Sequence, residues 1–335
     1  MRVRARRRAV VVALLGSLVS LIGCSGETAT APPAAGGGES VATSSASPAP
    51  GTASPTAAGP TASGSTAGPG QTELPRGGRR VFPHYRLVGY AGLTGAGTLG
   101  RLGTGPLDQR VREMEQRAAP YAAGREILPV LEVITTIVQG SPGRDGRYRT
   151  RISDDRIQTY LTAARKRHAL LLLNLQPGRA DFLSEAKAYR RWLAEPDVGL
   201  ALDPEWAMGP GQVPGRVFGH TTGAELNAVA AYLAGIVEAE DLPEKVLIYH
   251  QLAPRIVRQE RDLKPHRGVA VVKSVDGIGV AADKIHTYRV VNRTTPAHVH
   301  PGFKLFYTED AKAGRLMTPQ QVLALKPQPE YVLYE

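Results

Sequence analysis

From Val81 onward the chain alternates apolar runs of strand length with amphipathic runs of helix length, and the strand-length runs number eight. They fall at Tyr85 to Gly92, Ile127 to Thr136, Ala169 to Gln176, Val198 to Glu205, Lys245 to Gln251, Gly268 to Asp276, Phe303 to Glu309 and Tyr331 to Tyr334. Near-continuous Val/Leu/Ile runs such as Leu170 to Leu173 suit parallel strands buried on both faces, and such runs separated by helices are the signature of βαβ units. Eight of them in about 255 residues predict an α/β fold of the (β/α)8 or TIM-barrel type. The competing architecture is a doubly wound open sheet. It fits less well: no acidic residue closes the second strand, as a dinucleotide-binding fold wants.

The segments between the strands carry helix punctuation. Thr222 and Glu225 form a capping box ahead of Leu226 to Leu242, whose apolar positions Leu226, Val229, Ala230, Leu233 and Val237 recur at helical spacing. Thr318, Pro319 and Gln321 form a second box with proline at the first helical position. Ser153 is placed to cap Asp154 to His168, with two aspartates in the first turn. Further helices are expected at Leu107 to Ala122, Asp181 to Leu193, Pro254 to Asp262 and Ala281 to Val291.

Ahead of the barrel the texture is different. Arg2, Arg4, Arg6, Arg7 and Arg8 precede an apolar stretch from Ala9 to Ile22, which is short of the ~20 residues a permanent membrane span needs. A basic start, a short apolar middle and small residues before a cleavage point describe an export signal. It ends Leu21, Ile22, Gly23, Cys24, and Cys24 is the sole cysteine. These four residues resemble the bacterial lipobox. That resemblance implies cleavage after residue 23, a lipid on Cys24 and attachment to the bilayer at the extracytoplasmic face of the cell membrane. An uncleaved anchor or a soluble secreted chain are the other outcomes, and the pair Arg7 and Arg8 also fits twin-arginine export. Residues 24–79 are almost entirely Ala, Gly, Pro, Ser and Thr, too poor in large apolar groups to offset their ordering entropy. They read as a tether with a root-mean-square reach of ~40 Å. The barrel then occupies residues 80–335.

With one cysteine expected to be acylated, no disulfide can hold this fold, and the core must do so. Of 41 Lys and Arg against 30 Asp and Glu, five lie in the export signal, so the remaining chain is only mildly basic. No basic block marks a nucleic-acid stripe, and no nucleic-acid partner, cofactor or resident metal is expected. Nothing in the sequence calls for more than a monomer.

In a barrel of this type the chemistry lies where strands end. The fourth strand ends Leu202, Asp203, Pro204, Glu205, Trp206. Because strand side chains alternate, Asp203 and Glu205 point to the same side, with Pro204 holding Asp203 extended, and Gly199 and Ala201 share that parity, which could be the interior face. Two carboxyl groups this close repel, which raises one pKa and supplies a proton donor beside an ionised partner. Glu132 on the second strand and Asp276 at the end of the sixth are candidate partners. Asn174, Gln176, Trp206, Tyr249, His250, Gln251, Lys273 and Tyr307 are candidate substrate-binding groups. Arg144, Arg147, Arg149 and Arg151 in one loop could grip an anionic polymer, and Tyr90 and Phe306 could stack on sugars.

The Asp203-Pro204-Glu205 ending resembles the Asp-x-Glu strand ending of barrel glycoside hydrolases, notably the chitinase-like and muramidase-like families. That likeness implies Glu205 as proton donor and Asp203 as its helper. It covers one strand: the chitinase-like pattern has aspartates where this chain has Val198 and Ala201, and the muramidase-like first strand carries an aspartate absent from Leu87 to Tyr90. A longer likeness, through LVGYAG, NLQPGR, ALDPEWAM, KVLIYHQ, GFKLFY and LMTPQQVLAL, is to secreted bacterial proteins, largely actinobacterial. It supports the fold and implies no activity.

The function expected is that of a membrane-anchored lipoprotein with a glycoside-hydrolase-like barrel acting on cell-envelope polysaccharide. The alternative is a non-catalytic carbohydrate- or solute-binding lipoprotein using the same pocket. A third possibility is metal-assisted hydrolysis through Asp203, Glu205 and His250. His298 and His300 lie in a Pro-flanked loop without a spaced partner motif, which argues against a metal there.

Overall fold

The eight apolar runs become eight parallel strands in the computed structural model, which describes residues 71–335. They are β1 (Tyr85–Gly92), β2 (Glu126–Val138), β3 (Leu170–Leu175), β4 (Val198–Leu202), β5 (Lys245–Gln251), β6 (Val269–Val275), β7 (His300–Leu305) and β8 (Tyr331–Tyr334). Each pairs with the next in chain order, and β1 pairs with both β2 and β8, so the sheet closes into a barrel. The helices of the outer layer are α1 (Leu107–Ala118), α2 (Asp154–Arg165), α3 (Phe182–Ala188), α4 (Arg190–Leu193), α5 (Gly223–Ala239), α6 (Ala281–Val291), α7 (Glu309–Ala313) and α8 (Pro319–Leu323). The export signal, Cys24 and most of the expected tether lie outside the described residues. Among the described residues no helix is long and apolar enough to cross a membrane.

Strand alternation sorts the core into two layers. Residues such as Leu87, Val130, Leu172, Ala201, Ile248 and Leu333 fill the barrel, while Val88, Leu131, Leu173, Leu200 and Leu247 face the helices. The interior leaves little room at Gly199: a Cβ there would sit 2.5 Å from the Val246 carbonyl oxygen and 2.8 Å from Leu172 Cδ2. The base is closed by the chain that precedes β1. Leu74, Val81 and Phe82 are buried in the inner cluster, and the Tyr85 hydroxyl donates to the carbonyls of Arg76 and Gly77 at 2.7 and 2.9 Å. Packing onto the barrel therefore begins before residue 80.

Both expected capping boxes are present, at Thr222/Glu225 and at Thr318/Gln321. Ser153 occupies the N-cap of α2 without making the side-chain bond expected of it. The helix expected over Asp181 to Leu193 is two, α3 and α4, parted at Tyr189. Pro254 to Asp262 is not a helix: two tight turns flank the short strand Val257–Arg258, which pairs with Thr221–Thr222. The cause is local, since Gln259 is left-handed at φ 52°, which ends any right-handed helix. β4 ends at Leu202 rather than Glu205, because Pro204 has no N–H to offer a ladder and opens the 3-10 turn Pro204–Trp206. β7 spans His300–Leu305 instead of Phe303 to Glu309; the Phe306 N–H turns aside to donate to Asp310 Oδ2 at 3.0 Å, and Glu309 starts α7.

Candidate active site

The upper ends of the strands place a continuous polar layer inside the barrel, above an apolar lower half. Glu132 on β2 lies in register with Leu172, and Asn174 on β3 with Ala201 on β4; His250 on β5 lies in register with Ser274 on β6. Asp203 follows β4, Asp276 follows β6, Lys304 lies on β7 and Tyr331 on β8. All of these are buried.

His250 is the hub. Its Nδ1 lies 2.8 Å from Asp276 Oδ2 and its Nε2 lies 2.9 Å from Glu132 Oε1, with Asp203 Oδ1 at 3.9 Å. Burial opposes a charge on the ring, yet Asp276 and Glu132 outweigh it and hold the imidazole well above its ordinary pKa. With both ring nitrogens facing carboxylates, neither has a lone pair for a metal. Among the described residues, no group of three or more His, Cys, Asp and Glu is arranged to hold a metal ion.

The neighbours complete the network. Asn174 Nδ2 donates to Glu132 Oε1 and to Asp203 Oδ1, both at 3.0 Å, and Gln176 Nε2 donates to Asp203 Oδ2 at 3.1 Å. Because carboxylates only accept, these two bonds fix which end of the Asn174 amide is nitrogen. Its Oδ1 is left without a partner. The Tyr331 hydroxyl donates to Glu132 Oε2 at 2.6 Å, and Ser274 Oγ donates to Asp276 Oδ1 at 2.8 Å. Lys304 Nζ lies 3.1 Å from Asp276 Oδ2 and 2.5 Å from Glu335 Oε2. The Phe306 ring stands 5.1 Å from the same ammonium.

The carboxyl groups are driven apart electrostatically. Burial pushes Asp276 up, but the His250 and Lys304 charges overcome it and hold the group well below the usual carboxylate range. Glu132 is held low in the same way by His250, Lys304 and the Tyr331 hydroxyl against its own burial. Glu205 goes the other way: burial, then the Asp203 and Asp276 charges, push it up to about 8. Asp203 is raised by burial despite His250 and Lys304, and Glu335 is raised by burial despite Lys304. Glu205 Oε2 is buried with no hydrogen-bond partner. A protonated carboxyl with a free oxygen therefore stands beside ionised ones at the C-terminal mouth of a barrel.

Seven of the predicted residues converge here: Glu132, Asn174, Gln176, Asp203, Glu205, His250 and Asp276. The others do not. Tyr249 and Lys273 point outward from β5 and β6 to buried Glu260, at 2.7 and 2.5 Å. Gln251 turns its amide nitrogen to the carbonyls of Ala253 and Pro254. Tyr307 joins Tyr90 and Tyr334 in an aromatic cluster on the outer face, with the Arg101 guanidinium over its ring. Trp206 lies in the turn after β4 and is partly exposed. Arg149 and Arg151 are spent on buried Glu185, at 2.9 and 2.8 Å, so these two of the four loop arginines are not free to grip an anion. His300 pairs with Glu330 at the start of β7, the opposite end from the carboxyl cluster.

Lys304, Tyr331, Ser274 and Glu335 were not anticipated. The signal for Lys304 was a lysine inside the apolar run Phe303 to Phe306; the expected strand boundary hid its parity with Gly302. No family model matches the chain, and no curated protein matches it.

Proposed function

We propose that this chain is a glycoside hydrolase that acts on cell-envelope polysaccharide by carboxylate acid/base chemistry, held at the extracytoplasmic face of the membrane by a lipid on Cys24. The observation that carries this reading is Glu205: a buried carboxyl, protonated to about pH 8, with one oxygen free at the mouth of the barrel. General acid catalysis needs a proton held at neutral pH and a position from which to give it. Glu205 meets both conditions. Asp276, kept ionised by His250 and Lys304, supplies the standing negative charge that a glycosyl cation developing at the transition state requires. Asn174 and Gln176 steady Asp203, whose charge acts on Glu205. As Glu205 passes its proton to the leaving oxygen, His250 and Lys304 offset the new negative charge. Phe306 offers an apolar face for a sugar ring beside Lys304.

The test is turnover on a panel of peptidoglycan, chitin and arabinogalactan fragments. Glu205→Gln keeps the shape and removes the proton, so kcat on the cleaved fragment is expected to fall by ~10²–10⁴. No turnover on any fragment by the wild type sinks the proposal. One observation favours the alternative of a non-catalytic receptor. Glu132, Asp203 and Asp276 are each engaged by protein donors, which suits a fixed binding surface. A glycan bound equally by wild type and Glu205→Gln, and never cleaved, decides for that reading.

A further inference from the structure

The charge balance of the mouth and its unpartnered atoms bear on what kind of ligand it admits. Five carboxyl groups, Glu132, Asp203, Glu205, Asp276 and Glu335, share two cations, His250 and Lys304. Both cations are already spent: His250 bridges Asp276 and Glu132, and Lys304 bridges Asp276 and Glu335. Neither is left to receive an anion. The buried side-chain atoms of this cluster that lack a partner are both oxygens, Glu205 Oε2 and Asn174 Oδ1, on residues only 9% and 2% exposed. The Glu205 carboxyl is near enough to Asp203 and Asp276 for both charges to act on it, and Asn174 bridges Glu132 and Asp203, so both free oxygens belong to the one cluster. Buried acceptors without donors cost free energy until something donates to them. Glu335, with its side chain 25% exposed, marks where this cluster meets solvent.

We infer that the mouth takes a sugar bearing a free, protonated amine, such as a de-N-acetylated hexosamine unit, in preference to its N-acetylated or acidic counterparts. This rests on the carbohydrate reading above and narrows it. An ammonium donates to the two free oxygens and supplies the positive charge that the five carboxyl groups lack. Glu205 keeps its proton for the leaving oxygen, and its unpartnered Oε2 serves as the acceptor. The groups that set the charge around these oxygens are Asp203, Glu132, Asp276, His250, Lys304 and Glu335, from six different strand ends.

The experiment is titration calorimetry of the full chain with four probes at about pH 6, where both the ammonium and the Glu205 carboxyl hold their protons. The probes are a glucosamine tetramer, an N-acetylglucosamine tetramer, a galacturonate tetramer and a tetralysine peptide. The glucosamine tetramer is expected to bind at least ~10-fold more tightly than the other three. Glu205→Leu removes one of the two unpartnered oxygens and is expected to bring glucosamine binding down to the level of the N-acetylated tetramer; unchanged preference in this variant overturns the role of that oxygen. Glu335→Gln, at the solvent edge, gives a second variant whose binding is expected to weaken severalfold without loss of fold by circular dichroism. Equal binding of tetralysine overturns the sugar requirement. Tighter binding of the N-acetylated or acidic tetramer overturns the amine. Binding of the glucosamine tetramer without any cleavage leaves the inference standing and counts against the hydrolase; cleavage of N-acetylated glycan alone does the reverse.

Discussion

A carboxyl group that holds its proton to about pH 8 in the folded chain ties stability to pH. Glu205 has its folded pKa raised above the unfolded value, so between roughly pH 4.5 and pH 8 the native state binds the extra proton. Its contribution is therefore fully present below that window and is lost as pH rises through it. Glu205→Gln removes the titration. The stability difference between variant and wild type is expected to grow with rising pH, by up to ~1.4 kcal/mol per pH unit inside the window and flat above it. Urea unfolding at several pH values reads this directly; a constant difference from pH 5 to pH 8 refutes the raised pKa. Lys304 acts on the same groups from the other side. Its charge lowers Asp276, Asp203 and Glu205, so Lys304→Met is expected to raise all three. The acid limb of any pH–rate profile should move to higher pH by at least ~1 unit, since a buried opposite charge shifts a carboxyl by about 1–3 units. An unmoved limb would show that Asp276 does not set it.

Among elements, β4 is the most constrained, because it brings glycine and alanine to the barrel axis where neighbouring strands bring leucine, valine and isoleucine. Gly199→Ala puts a methyl against the Val246 carbonyl, and neither backbone can yield without disturbing β4 and β5 together. The expected loss is ~1–3 kcal/mol of unfolding free energy. Gly235 in α5 is the counterexample, with nothing within 4 Å of a built Cβ. Gly235→Ala is expected to be neutral or to stabilise by ~0.5–1 kcal/mol, from helix propensity alone. Thermal denaturation of the two variants side by side checks both; similar behaviour would mean that interior packing does not limit this barrel. The difference between legible and hidden elements follows from how local their causes are. Thr222 with Glu225, and Thr318 with Gln321, satisfy each other within one turn, and four residues suffice to read them. Pro254 to Asp262 is shaped instead by distant partners: Glu260 is drawn inward to Tyr249 and Lys273, and Val257–Arg258 pairs with Thr221–Thr222. Nothing within the segment announces either.

At the scale of the whole molecule the barrel interior is divided, apolar below and charged above, and that division decided how much of the site was readable. Carboxylates and amides that end a strand, such as Asp203, Asn174 and Asp276, were visible because a polar residue after an apolar run is a local signal. Tyr249 and Lys273 were misjudged because they lie one residue from interior positions, and a step of one turns a side chain to the other face. Glu335 and Lys304 meet only when the eighth strand closes against the seventh, which no short window of sequence contains. The same division puts the polar layer at one end of the barrel only, so on the proposed reading an attachment to the membrane would govern what that end can meet. Cys24 is the proposed attachment. Two acyl chains suffice for stable anchoring, at ~0.8 kcal/mol per buried methylene. In the native host, the full chain is expected to partition into the detergent phase and to incorporate labelled fatty acid. Cys24→Ser should move it to the aqueous phase, with the fold of residues 71–335, which hold no cysteine, unchanged. A Cys24→Ser chain that stays with the membrane would mean that the apolar run from Ala9 to Ile22 is itself retained as the anchor.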